Sequence, residues 1–107
     1  MTRPNVLWIM SDQHRADCLG CMGNDAVQTP NLDRLAGSGV LFENAFCQSP
    51  ACMASRASIF TGRYPGAVRV RGMGILPPSE VALPEWLARH GYRTAAFGKV
   101  HFTPELY

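Results

Sequence analysis

Charge is scarce in this chain. Only 17% of its 107 residues are charged and the net charge is +2, too mild a balance to mark a nucleic-acid binder or a protein held on an acidic membrane surface. Long hydrophobic runs are missing as well. The apolar stretch near the start, Val6-Leu7-Trp8-Ile9-Met10, is too short for a signal-peptide core with its flanks, and far too short for a membrane span. The expected compartment is therefore the cytoplasm. Cysteine is present, at positions 18, 21, 47 and 52, but not as a framework. No secretory context supports disulfides. No second paired cluster completes the zinc site that His14-x3-Cys18-x2-Cys21 would begin, and no thioredoxin-like context surrounds it. Reduced packing residues are the simplest reading of Cys18 and Cys21.

What is present is globular: 47% of the residues are hydrophobic, enough for a modest core. Val6 to Met10 has the continuous apolar character of a parallel strand buried on both faces. Thr29 to Ala36 reads as a short helix with Thr29 as N-cap, Pro30 at the first helical position, Leu32 and Leu35 on one face, and Gly37 and Gly39 ending it. A second strand begins at Val40-Leu41-Phe42 and runs on through Phe46. After Pro50, the small residues from Ala51 to Phe60 predict a helix that Gly62 closes in the left-handed region. Tyr64 to Ser79, rich in Gly and Pro and without a helical or strand period, is expected as a long surface loop in which Arg69 and Arg71 are solvated charges. Leu83 to Gly91 is a helix with Pro84 near its start and His90 facing its last carbonyls. Tyr92 to Phe97 is a third strand. Helix followed by strand is the grammar of a right-handed crossover, so the expected fold is α/β, the N-terminal part of a doubly wound, mostly parallel sheet.

Chemistry concentrates at three places. Ligands in open α/β sheets gather at the carboxyl ends of strands, which is where Asp12 and Gln13 follow the first strand. There, metal ligation and simple turn capping by Asp12 are equally good readings. Cys52 falls in the first turn of its helix, where free amides and the helix dipole favour an anion, and Arg56 lies one turn later on the same face. Lys99 and His101, two residues apart after the third strand, point the same way in extended chain.

The string Cys52-x-Ala54-Ser55-Arg56 followed by Thr61-Gly62-Arg63 closely resembles the sulfatase signature, and the likeness runs from about Asn5 to His101. The resemblance implies a protein of the alkaline-phosphatase-like superfamily, of which this chain corresponds to the N-terminal part of the catalytic domain. It implies that Cys52 is oxidised to formylglycine by a formylglycine-generating enzyme that reads Ser55 and Arg56. The hydrated aldehyde would attack the sulfur of a small anionic sulfate ester, with Arg56 and Lys99 neutralising charge and His101 accepting the proton of the second hydroxyl. Asp12, Gln13 and the modified Cys52 would ligate a divalent cation, calcium foremost and manganese or zinc as alternatives. Two positions depart from the family pattern. Gln13 stands where a second Asp is usual, and the resulting Asp-Gln-His-Arg is similar to the branch of choline-sulfatase-like enzymes and phosphonate monoester hydrolases. Val100 stands where an aromatic residue is common in Gly98-Lys99-x-His101. Rival readings are a phosphonate or phosphodiester hydrolase of the same fold, an inactive fragment, and a small cysteine-based redox or zinc module. The remaining metal ligands are expected beyond Tyr107, and the chain alone is expected to be catalytically inert.

Overall fold

The computed structural model describes residues 3–72 and 74–101. It divides into two compact units, Met1–Ala45 and Phe46–Tyr107. No helix among the described residues is long and apolar enough to cross a membrane.

In the first unit a short 3-10 helix, Gly20–Met22, precedes α1, Pro30–Ser38. Pro30 sits at the helix start as expected, where its missing N–H is no loss. Thr29 occupies the N-cap position, but its hydroxyl does not cap. It donates instead to Asp33 Oδ1 at 2.9 Å and accepts the Gly20 N–H at 2.8 Å. The same carboxylate oxygen takes the Cys21 N–H at 2.8 Å. Asp33 thus ties the 3-10 helix to α1. The approach is so close that a β-carbon on Gly20 would lie 2.6 Å from Asp33 Oδ2. Nearby, the Arg15 guanidinium pairs with Asp17 at 2.5 Å and holds that carboxyl below its usual range.

The second unit carries α2, Cys52–Thr61, and α3, Leu83–Arg89, which pack against each other. Gly62 ends α2 at φ 67° and returns its N–H to Ser58 O at 2.9 Å, the left-handed close expected of glycine. In α3, Glu85 and Arg89 pair one turn apart at 2.6 Å. His90 Nδ1 meets Trp86 O at 2.7 Å while its ring stacks on Trp86 with centroids 3.9 Å apart, so it serves the helix end as expected.

Two expectations are corrected. The first concerns strands: 6–10, 40–46 and 92–97 contain none, and the described residues form no β-sheet. Helix hydrogen bonds close within one segment, whereas a ladder needs a partner segment. A strand buried on both faces also needs cover above and below. Here the apolar side chains of these runs face solvent, with Leu7 84%, Ile9 83% and Phe97 93% exposed. The second concerns the loop 64–79. It is not merely superficial, because Val68 and Val70 are completely buried and Leu76 nearly so. They join Ala54 and Ala57 of α2 and Ala82 in one core cluster. Backbone turns fold the loop on itself (Val68 N to Tyr64 O 3.2 Å, Val70 N to Pro65 O 3.0 Å). Arg63 clamps its neck to Glu80 at 2.5 Å. Such a loop, packed by its own side chains with its ends tied, is a structural element in its own right.

Candidate functional site

Cys52 is the first residue of α2, half-buried, behind an extended Ala51 N-cap with no side-chain cap. Pro50 cannot continue a helix from the preceding segment, and Ser49 Oγ accepts the Ala51 N–H at 3.1 Å. Together these set where the helix begins. Gln48 ties the approach further: its Nε2 donates to Phe46 O at 3.2 Å, and its Oε1 accepts from the buried Ser58 hydroxyl at 3.4 Å. The side chain at position 52 is therefore presented from a fixed backbone.

His101 comes to it from the other end of the unit. Its Nδ1 lies 3.5 Å from Cys52 Sγ, within reach for sulfur. Its backbone has φ 65°, the left-handed region that residues with a β-carbon seldom enter. Arg56 is buried, 6% exposed, and its Nη1 donates to the Lys99 carbonyl. The Lys99 residue itself is exposed. The structure thus joins Cys52 with His101 and Arg56 with the backbone of Lys99, four residues that sequence reading put forward together.

Asp12 and Gln13 belong to the first unit, exposed at the bend after the 6–10 run, with Asp12 O accepting the His14 N–H at 2.8 Å. His14 does not turn to sulfur: its Nε2 lies 3.0 Å from Cys18 O. Cys18, Cys21, Cys47 and Cys52 are all free thiols.

The sulfatase family matches the chain over residues 4–105. The chain belongs to the sulfatase family. Among its relatives, an arylsulfatase of Clostridium perfringens is 43% identical over 106 residues, covering 96% of this chain and 22% of that protein. The steryl-sulfatase of Mus musculus is 44% identical over 110 residues, covering 92% and 18%. An ulvan-active sulfatase of Formosa agariphila is 41% identical over 104 residues, covering 94% and 20%. The chain spans about a fifth of the length of these curated relatives. No solved structure gave a significant match.

A sulfatase metal asks for more than the described residues provide. Asp12 and Gln13 are hard oxygen donors of the right chemistry, but calcium takes six to eight oxygens. No group of three or more His, Cys, Asp or Glu suited to a metal occurs among the described residues. The shell is incomplete within them. Sequence reading also missed the supports of the Cys52 helix. Val68 and Val70 had a signal, the alternation Val68-Arg69-Val70-Arg71 within a Gly- and Pro-rich stretch. Gln48 and Ser58 had none, since their pairing spans a loop.

Proposed function

We propose that this chain is the nucleophile-bearing part of an enzyme that hydrolyses sulfate esters. The observation that supports the reading is the approach of Cys52 Sγ to His101 Nδ1 at 3.5 Å, at the start of the helix that carries the sulfatase string. Formylglycine at position 52, when formed, supplies a hydrated aldehyde whose two hydroxyls a plain thiol lacks. A polar ring nitrogen already beside that side chain suits such a group. His101 then holds and removes a proton at Nδ1. Arg56, buried and one turn along α2, supplies fixed positive charge in a site of reduced dielectric and braces the Lys99 backbone. The Lys99 ammonium adds a second charge for the anionic ester. Asp12 and Gln13 would contribute two oxygen ligands toward a divalent cation, calcium before manganese or zinc. Ser55 and Arg56 are the residues a formylglycine-generating enzyme would read.

Gln13 favours one second reading. A neutral amide in place of a carboxylate leaves a bound cation more electrophilic, and phosphonate monoesters and phosphodiesters carry the same single charge as sulfate monoesters. The experiment uses full-length protein co-expressed with a formylglycine-generating enzyme. Peptide mass spectrometry at Cys52 should show loss of sulfur and gain of an aldehyde, and an aryl sulfate should be hydrolysed faster than an aryl phosphonate. Preference for the phosphonate selects the second reading. An unmodified thiol, while a known substrate in the same cells is converted, rejects the nucleophile.

A further inference from the structure

The two side chains that meet in the second unit are each preceded by an apolar residue resting on one core. Ala51 precedes Cys52 and Val100 precedes His101, and both pack against the cluster that contains Ala54, Ala57, Val68 and Val70. On the Cys52 side the backbone is already held by the helix. On the His101 side there is no helix or strand. The segment has Gly98 at φ 80° and His101 at φ 65°, conformations that its own residues do not enforce. Among the contacts that restrain it are the Arg56 bond to the Lys99 carbonyl, the approach of His101 to Cys52 and the packing of Val100 on the core. The carbonyl bond holds residue 99. The Val100 contact lies on the residue immediately before His101.

We propose that Val100 is a positioning residue, whose side chain, seated on this core, sets the separation between His101 Nδ1 and the side chain at position 52. The physical basis is that close-packed interiors transmit small displacements. Val68 and Val70 are wholly buried, so the surface on which Val100 rests does not yield. Trimming Val100 to Ala opens a gap into which the 98–101 segment relaxes, and the ring is drawn from its partner. Proton transfer is sensitive to such shifts, since about 1 Å of misplacement costs up to roughly a hundredfold in rate. Val100 touches no reacting atom in this account. It acts through His101.

The kinetic arm rests on the sulfatase reading, so the test has a second arm that does not. In full-length converted protein, Val100→Ala should lower kcat for an aryl sulfate by about tenfold to a hundredfold with little change in KM. Val100→Thr, of the same shape, should restore most of it. In a His101→Ala background, Val100→Ala should cost nothing further, because the group it positions is gone. Independent losses in the double variant, or a rise in KM of the same size, overturn the proposal. The second arm uses unconverted protein with 15N-labelled histidine. Cys52→Ala should move the His101 Nδ1 resonance in the parent but not in the Val100→Ala variant. A response that persists in Val100→Ala overturns the proposal even if the ester is hydrolysed. A response that vanishes while the parent hydrolyses no ester upholds the positioning role and rejects the function. Should Val100→Ala not fold, Val100→Leu, which keeps apolar area but changes shape, carries the same expectations.

Discussion

At the scale of single residues, His101 and Arg56 make separable predictions. On the proposed role, the proton taken at His101 Nδ1 would belong to the second half of the reaction, after the alcohol has left. His101→Ala should therefore give a burst of alcohol followed by a phase slowed by about 10²–10⁴-fold, read by rapid-mixing kinetics. Equal loss in both phases would mean that the ring only packs. Arg56→Ala should also impair the burst, by on the order of 2.7–4 kcal/mol in the barrier if it acts as an electrostatic stabiliser. It leaves the Lys99 carbonyl without its donor as well. Arg56→Lys keeps the charge but not the planar fork, so single-turnover rates should recover only in part. Arg69 is the opposite kind of residue. Exposed at φ 59° between two buried valines, it sits where glycine is at ease. Arg69→Gly should leave stability unchanged or raise it by up to about 1 kcal/mol in urea denaturation.

At the scale of elements, the 3-10 helix, α1 and α2 are held by contacts between segments. The 3-10 helix and α1 depend on Asp33, which accepts from Cys21 N and Thr29 Oγ1 with one oxygen. Asp33→Ala leaves both donors without that partner and should cost about 1–3 kcal/mol. Gly20→Ala should destabilise by a similar amount, because its β-carbon would meet Asp33 Oδ2 at 2.6 Å. Combined, the two substitutions should cost less than their sum, since Asp33→Ala removes the oxygen that the β-carbon of Gly20→Ala would strike. Urea midpoints of the four proteins test this. For α2 the support is the folded loop. Val70→Ala should cost about 2 kcal/mol through lost burial and a small cavity, in contrast to the exposed arginines beside it.

At the scale of the whole chain, the apolar runs left in solvent are the dominant fact. Exposed apolar side chains outside any sheet invite association. The 107-residue chain on its own should bind a hydrophobic dye, scatter light as an assembly, and turn over no aryl sulfate. Leu7→Lys with Ile9→Lys should reduce the association, because these side chains are 84% and 83% exposed. A monodisperse preparation with stoichiometric metal and multiple turnovers would show instead that the site closes within these residues.

What could be read from the sequence alone is what physical chemistry keeps local. Helix bonds, proline starts and glycine stops act within a few residues, so α1, α2 and α3 lie where Pro30, Pro50, Gly62 and Pro84 predict, and Cys52 falls at a helix start. The string from Cys52 to Arg63 is likewise contiguous and identified the family. Tertiary structure decided everything that joins distant residues. The approach of Cys52 to His101 spans 49 positions, and the bracing of Lys99 by Arg56 spans 43. Asp33 became the tie for Cys21, and Val68 and Val70 became core rather than loop. The strands show the same rule from the other side: their residues carry the strand pattern, but a ladder exists only between segments, and pattern alone cannot supply the second one.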